Sequence, residues 1–274
     1  MWPCDADFPG TYSDIFSRHP DTHFSKDENF ITYKTSSRSD YWWGAYLVSR
    51  EEITNANLGI ALREWEIRLG SLADIKKKII QWEVPVDHFP PDAAELASVF
   101  DVSPESVSIN SVLVATASTM PPYEIISAVT LEEARSENDF DEIMRMSLAD
   151  LESTPESPAT EDFLRWKHGQ FHEGVKRGDG KWWMLKFEGE FVANCGLFTR
   201  GQTARFREVT THPRWRRHGF ARALCHLVLV EGFKDATIER VVIVAEHNSS
   251  VERIYKSVGF LPRSFQFALV RDLK

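Results

Sequence analysis

The sequence predicts an α/β chain of two units, the second of which is a mixed, mainly antiparallel sheet flanked by helices. Three observations indicate this fold class. β-prone runs alternate with segments of helical periodicity along the chain. A polar, proline-containing stretch at 117–122 divides the chain near its middle. In the second half, consecutive β-prone runs are joined by short turns, which is typical of antiparallel pairing.

Length and composition agree with this division. The chain has 274 residues, of which 42% are hydrophobic and 27% charged. These proportions are typical of globular proteins, and the length suits one large domain or two small ones. We therefore expect a first unit at 1–116 and a second at 123–274.

The first unit is predicted to begin with an arm of about thirty residues, since no periodicity is visible there. β-branched and aromatic runs then favour four strands. Helical spacing and caps favour two helices, the second starting after Pro90-Pro91. The predicted strands are Phe30–Lys34, Trp42–Ser49, Ile79–Val84 and Val107–Ala115, and the helices are Leu58–Leu69 and Asp92–Phe100.

The second unit is predicted to open with a strand and two helices and to continue as a meander. The strand is Tyr123–Val129, and the helices are Leu131–Leu148 and Glu161–Arg177, separated by a Ser/Pro/Glu-rich loop at 150–160. Glu188-Gly189-Glu190 predicts a hairpin turn. The later strands are Lys181–Phe187, Phe191–Phe198, Arg205–Thr211, Arg240–Ala245 and Phe265–Val270, with helices at Gly219–Phe233 and Ser250–Ser257.

Charge and cysteine content narrow the class of protein. The formal net charge of -9 argues against broad binding to nucleic acid or to an anionic membrane, because both need a basic surface. The three cysteines are widely spaced, which predicts neither a disulfide framework nor a metal site, and Cys195 and Cys225 are expected in the core. The first residues lack the pattern of a signal peptide, so we expect a cytoplasmic protein.

The histidine pair His168 and His172 has helical i, i+4 spacing, which metal-binding helices use. No glutamate stands between them in the HExxH pattern, so we interpret both as solvated side chains and expect no metal.

The most informative stretch is the junction between a strand and a helix at 209–221. It reads Val209-Thr210-Thr211-His212-Pro213-Arg214-Trp215-Arg216-Arg217-His218-Gly219-Phe220-Ala221. The first N–H groups of a helix have no partner within the helix, and small residues let a phosphate approach them. The turn therefore predicts a pyrophosphate site, and a tight helix start with solvated arginines is the alternative interpretation. Nearby cations expected to offset an anionic ligand are Arg205, Arg207, Arg214, Arg216, Arg217 and Arg222.

This turn differs from the commoner nucleotide motifs. It lacks the GxxxxGK[ST] of a Walker loop, and the strands before it are antiparallel, unlike the parallel unit that carries GxGxxG.

Arg216-Arg217-His218-Gly219-Phe220-Ala221 resembles the Arg/Gln-x-x-Gly-x-Gly/Ala signature of the GCN5-related N-acetyltransferase (GNAT) family. About thirty residues on, Asn248, Tyr255 and Gly259-Phe260 resemble the second signature of that family. The resemblance covers about 123–274 and implies a GNAT-type sheet. Tyr41-Trp42-Trp43-Gly44-Ala45-Tyr46-Leu47 is similar to a segment of two-half members, which implies a smaller, degenerate GNAT-like first unit.

The resemblance implies the following roles. Acetyl-CoA is the acyl donor, the main chain of Val209, Thr210 and Thr211 pairs with the pantetheine arm, and Asn248 contacts that arm. Tyr255 occupies the position where the family commonly places the acid that protonates the thiolate. The N–H groups expected to hold the pyrophosphate are those of Arg216, Arg217, His218, Gly219, Phe220 and Ala221.

Transfer to an amine needs a proton acceptor, because a lysine-like amine with a pKa near 10.4 is almost fully protonated at pH 7. Glu208, Glu246 and His212 are candidates by their nearness in sequence to the strands of the site, and a water relay is an alternative. The glutamate that some family members use three positions before Glu208 is Arg205 here.

The function predicted in this way is N-acetyl transfer from acetyl-CoA to a primary amine in a ternary complex, with a small molecule or a protein as acceptor. A noncatalytic acyl-CoA sensor is the main alternative, and a nucleic-acid binder using the arginine cluster is disfavoured by the acidic composition. The first unit is expected to supply part of the acceptor pocket. Composition does not distinguish a monomer from a homodimer.

Overall fold

The computed structural model describes residues 8–41, 43–88, 93–124, 126–154 and 160–273. Trp42, the Pro90-Pro91 helix start and part of the predicted loop at 150–160 lie outside these ranges. The helices are α1 (Pro9–Ser13), α2 (Leu58–Leu69), α3 (Ala93–Phe100), α4 (Glu137–Glu152), α5 (Glu161–Arg177), α6 (Phe220–Gly232) and α7 (Ser250–Lys256). The strands are β1 (Thr22–Lys26), β2 (Phe30–Thr35), β3 (Ala45–Ser49), β4 (Lys77–Pro85), β5 (Val107–Ala115), β6 (Val129–Glu133), β7 (Gly180–Phe187), β8 (Glu190–Arg200), β9 (Thr203–Thr211), β10 (Arg240–Glu246) and β11 (Leu261–Asp272).

These strands form one continuous sheet in the order β1-β2-β3-β4-β11-β5-β10-β9-β8-β7-β6. The pairs are antiparallel except β3 with β4 and β9 with β10, which are parallel. The prediction of a mixed, mainly antiparallel sheet flanked by helices is confirmed.

The two halves of the chain exchange strands in the middle of this sheet. β11, the last strand, lies between β4 and β5 of the first half. β5 in turn lies between β11 and β10 of the second half. Main-chain hydrogen bonds between β4, β11, β5 and β10 therefore hold the two halves together.

Side chains that alternate along each strand divide the core between the two faces of the sheet. On one face, α2 and α3 cover residues such as Trp82 and Phe267, and α6 covers Ala204 and Phe206. On the other face, α4 and α5 pack over Trp182. Cys195 and Cys225 are buried in the core, as expected.

The predicted arm at the start of the chain is wrong for the residues that the structure describes. α1 is largely buried, and β1 pairs with β2. The Glu83 carboxylate accepts hydrogen bonds from the N–H groups of Gly10 and Thr11 and from the Thr11 hydroxyl. This segment is held by contacts to a residue more than seventy positions away. Its structure therefore could not be predicted from local periodicity.

The start of the second unit also differs from the prediction. The strand is Val129–Glu133, not Tyr123–Val129, and the helix begins at Glu137, not Leu131. β6 is an edge strand of alternating burial, in which Leu131 packs against the core. The helix starts after Ser136, whose hydroxyl accepts from the Asp139 N–H in a capping box.

Candidate active site

The two parallel strands β9 and β10 separate part of the way along their length. They pair only at their starts, where the last paired residues are Arg205 and Val242. A bulge then bends β9, since its register with β8 shifts between Arg207 and Thr210. Glu208, at this bulge, has a φ of 48°. Within the described residues, no strand pairs with the edge of β9 that faces β10 beyond Arg205, so the main chain of Val209–Thr211 keeps a free edge there.

The turn after β9 presents a row of N–H groups. The first helical bond of α6 runs from the Ala223 N–H to the Gly219 carbonyl, 3.0 Å. In the part of the chain that the structure describes, no backbone acceptor bonds the N–H groups of 217–222. Arg217 and Gly219 have φ values of 70° and 84°, and such left-handed residues turn successive N–H groups toward one point.

Arg216 differs from its neighbours in this row. Its N–H donates to the Pro213 carbonyl at 3.4 Å, so it is the one member of the predicted set that already has a partner. Its guanidinium pairs with Asp150. Phe220 is 3% exposed, and its N–H rather than its side chain faces the turn, since the ring packs on Phe187 and Trp215.

The predicted cluster of six arginines is wrong for Arg205 and Arg207. Alternation along β9 places these two on the face opposite α6, where they contact Ser13 and Asp14. Arg214 pairs with Glu190 at 3.4 Å. Arg217 and Arg222 remain at the turn, without a carboxylate partner among the described residues.

The residues of the second signature follow β10, on the other side of the gap between β9 and β10. Asn248 is exposed with a φ of 62°, and its N–H donates to the buried Glu252 carboxylate at 2.6 Å. Tyr255 on α7 is 6% exposed and packs against Phe260. Burial, followed by the neighbouring Cys225, Cys195 and Glu208, raises the pKa of Tyr255 well above its usual value, so its hydroxyl keeps its proton at neutral pH.

The Gly-Phe pair after Tyr255 has a packing role. Gly259 has a φ of 110°, and a Cβ there would stand 2.6 Å from the Thr119 carbonyl oxygen. The segment that joins the two halves therefore passes directly over this glycine.

The three candidate bases lie in different surroundings. Glu246 is exposed at the end of β10, and the His212 ring accepts from the Arg214 N–H at 3.2 Å. Glu208 is partly buried, and its carboxylate accepts from Lys167 Nζ at 2.7 Å. Burial alone raises the pKa of Glu208, but the positive charge of Lys167 and its hydrogen bond, together with the charge of Arg207, outweigh this effect and leave that pKa below its usual value.

His168 is not the solvated side chain that the sequence suggested. It is 7% exposed, and burial lowers its pKa to about 4, so the ring is neutral at neutral pH. Within the described residues, no group of three or more His, Cys, Asp or Glu side chains could hold a metal ion.

A cavity of about 270 Å³ lies beside Glu208, between the two halves of the chain. Its aromatic wall joins residues of both halves, namely Tyr41, Trp43, Phe163 and Trp166. Its charged lining is Asp14, Arg18, Lys167, Arg207 and Glu208, and His19 also contributes. Sequence analysis missed Arg18 and Lys167, because a residue of the first segment and a residue of α5 meet at this cavity only in the folded chain.

Residues 140–260 match the model of the acetyltransferase (GNAT) family. This part of the chain belongs to the GNAT family, and the predicted class, an acyltransferase, is confirmed at the level of the family. No curated protein matches the sequence.

Solved structures share the fold over nearly the whole chain. A functionally unknown conserved protein from Staphylococcus epidermidis matches with a TM-score of 0.72 at 10% identity, over 96% of this chain and 98% of that one. A GCN5-related N-acetyltransferase from Kribbella flavida has a TM-score of 0.64 at 14% identity, over 100% and 97% of the two chains. A tandem GNAT protein from the clavulanic acid biosynthesis pathway has a TM-score of 0.56 at 12% identity, over 98% and 88%. None of the helices that the structure describes has the length and apolar character to cross a bilayer.

Proposed function

We propose that the protein transfers an acetyl group from acetyl-CoA to a primary amine by direct attack in a ternary complex. The observation that carries this proposal is the free edge of β9 next to a row of unbonded N–H groups at 217–221. An extended pantetheine arm suits the first feature and a pyrophosphate suits the second, since hydrogen bonds to a charged group contribute about 1.5–3 kcal/mol each. Asn248, exposed on the opposite wall, is our candidate contact for the arm.

Glu208 is our candidate for the proton acceptor. It lines the cavity at the bulge of β9, whereas Glu246 is solvent-exposed and the His212 ring already bonds a main-chain N–H. The low pKa of Glu208 keeps it ionised, so it can take the proton of an incoming ammonium or amine. The amine nitrogen then bonds to the thioester carbonyl carbon, and the carbon–sulfur bond breaks.

Tyr255 is our candidate for the acid that protonates the departing thiolate. Its hydroxyl is protonated at neutral pH and therefore holds a proton that it can donate, although burial raises its pKa and makes it a weaker acid than an exposed tyrosine. The volume of the cavity, about 270 Å³, suits a small-molecule amine.

We also propose that 1–116 and 123–274 act as two GNAT-like units, the second of which holds the cofactor. In support, the family match lies within the second unit, and the cavity has walls from both. The exchanged strands β5 and β11 make the units interdependent.

The test combines calorimetry of coenzyme A binding with an acceptor screen that measures thiol release from acetyl-CoA. Tyr255→Phe is expected to lower kcat about a hundredfold or more, the usual contribution of acid–base catalysis, with little change in coenzyme A affinity. Tyr33→Phe is the matched control, because the Tyr33 hydroxyl is buried without a hydrogen-bond partner among the described residues. Absence of coenzyme A binding would refute the proposal, and binding without turnover of any amine would favour a sensor.

A further inference from the structure

The cavity between the two halves carries features that select among amines. This inference rests on the proposed function, because it identifies the class of acceptor that the same site would take. The relevant residues are contributed by the first segment of the chain, by β4, by α5 and by the bulge of β9.

Arg18 is the first of these features. Its Nε donates to the Asp14 carbonyl at 3.1 Å, and its Nη1 to the Trp43 carbonyl at 3.2 Å. Its Nη2 donates to the Tyr46 hydroxyl at 2.5 Å. A guanidinium has five N–H groups, so two remain, and within the described residues no carboxylate pairs with Arg18. Arg18 therefore lines the cavity with two N–H groups left over that can bind a carboxylate.

The charges around the cavity also favour an anionic ligand, because cations outnumber anions there. Glu208 is paired with Lys167, and Asp14 is shared between Arg205 and Arg207, at 3.4 and 3.8 Å. With His19 left aside, since it pairs with Asp21, the lining has three cations and two anions. Arg205, directly behind the lining, adds a further cation. An anionic group on the ligand would balance this excess.

Two residues that line the cavity have buried donors without a partner among the described residues. The Gln81 side chain lines the cavity and is 2% exposed, and its amide nitrogen has no partner. The Arg207 Nε is likewise buried without a partner among the described residues. Buried donors without an acceptor are unfavourable, and an acceptor-rich ligand would relieve this.

One wall of the cavity is aromatic. Tyr41 from the first half stacks on Phe163 of α5, with ring centroids 3.8 Å apart. Trp43 and Trp166 also line the space. A ligand with an apolar or aromatic body can pack against these rings, while its polar ends face Arg18 and Glu208.

We propose that the acceptor is an amino acid, with its carboxylate on Arg18, its apolar side chain against the aromatic wall and its amine toward Glu208. The nitrogen–carbon bond forms as the carbon–sulfur bond breaks. The amine proton passes to Glu208, and the thiolate takes a proton from Tyr255. The products are an N-acetylated amino acid and coenzyme A.

The first test uses the unmodified protein and matched acceptors. Phenylalanine is compared with phenethylamine, and tryptophan with tryptamine, which differ only by the carboxylate. Amino acids with the amine on the α, β or terminal carbon are added to vary the spacing. We expect kcat/KM to favour a carboxylated acceptor by about tenfold to a hundredfold, the usual value of a hydrogen bond to a charged group. Equal or better acetylation of the decarboxylated amines would overturn the inference and leave the proposed function intact.

The second test assigns the carboxylate to Arg18. Arg18→Gln should lower kcat/KM for the carboxylated acceptor about tenfold or more and leave the decarboxylated amine within a few-fold. Arg63→Gln, an exposed site on α2, is the matched control and should change neither. An equal loss for both acceptors would contradict the assignment. Coenzyme A titration of each variant reports separately on the cofactor site, and absence of coenzyme A binding to the unmodified protein would refute the proposed function.

Discussion

At the scale of single residues, the ion pair between Lys167 and Glu208 is the feature that most affects the proposed chemistry. The two groups are 41 positions apart in sequence and 2.7 Å apart in the fold. The ammonium of Lys167 keeps Glu208 ionised and occupies a direction from which an acceptor amine could approach it. An acceptor would therefore have to share or displace this contact.

Lys167→Gln tests the electrostatic part of this role. Burial favours the protonated form of Glu208, and Lys167 is the largest opposing influence, so its removal raises the pKa of Glu208. The base is then protonated at a higher pH, and the acid limb of the kcat/KM profile moves to higher pH. The profile is measured with one amine acceptor between about pH 5 and 9.

Lys176→Gln is the control for this prediction. It removes a lysine from the same helix that pairs with Glu137 and Glu173 at the surface. An acid limb that stays in place in Lys167→Gln, or that moves equally in both variants, would contradict the role of Glu208 as base.

The position of Tyr255 could be predicted from residue type and spacing, whereas that of Arg205 could not. The position of Tyr255 followed from its distance to Asn248 and Gly259, because all three lie within one short strand–helix–strand segment. Arg205 could not be placed in this way, because its neighbour Asp14 is 191 residues away. Alternation along β9 puts Arg205 and Arg207 on one face of the sheet, but only the structure shows that this face is opposite α6.

At the scale of elements, three glycines allow the cost of an unfavourable φ to be distinguished from the cost of a steric clash. Gly219 and Gly259 both have positive φ, which costs an L-residue about 1–2 kcal/mol. A Cβ at Gly219 would meet only Ile126, at 3.5 Å, whereas one at Gly259 would collide with Thr119. Gly169, within α5, has open space around it.

These environments predict a ranking of alanine variants. Gly259→Ala is expected to lower the free energy of unfolding most, and Gly219→Ala by about 1–2 kcal/mol. Gly169→Ala is the control and should stabilise α5 by up to about 1 kcal/mol. Urea titrations measure the three values. A smaller effect at Gly259 than at Gly219 would show that the segment at 117–122 does not pass over Gly259 as described.

Most elements were predictable from local signals, with errors confined to particular kinds of segment. Val107–Ala115 has the bounds that its β-branched run indicated, and Glu161–Arg177 begins at its cap and ends at Gly178. α1 was not predicted and the predicted bounds of β6 were wrong, because an edge strand and a five-residue helix each depend on neighbours distant in sequence.

At the scale of the whole molecule, the exchange of β5 and β11 makes each half incomplete without the other. β11 has β4 and β5 as its only strand neighbours in the described sheet, and both belong to residues before 117. Deletion of 1–116 would expose both edges of a twelve-residue strand and remove Arg18, Tyr41 and Trp43 from the cavity.

We therefore expect residues 117–274 expressed alone to be insoluble or unfolded. Co-expression with residues 1–116 should restore a soluble complex that binds coenzyme A, because strand pairing rather than chain connection supplies the stability. Circular dichroism and co-purification measure the two outcomes. A folded fragment 117–274 with full acceptor turnover would contradict both the exchange and the proposed contribution of the first half to the acceptor pocket.

The sequence by itself determined the class of fold, most helices and strands, and the turn at 216–221 with its second signature at 248–260. These features depend on hydrogen bonds, capping and periodicity within a few residues, which a linear pattern contains. Only the tertiary structure decided that the two halves share one sheet, that Arg205 and Arg207 face away from the turn, and that Arg18, Lys167 and Glu208 meet at one cavity. Those arrangements arise from contacts between residues far apart in the chain, whose partners are set by how the strands pair and which faces pack together.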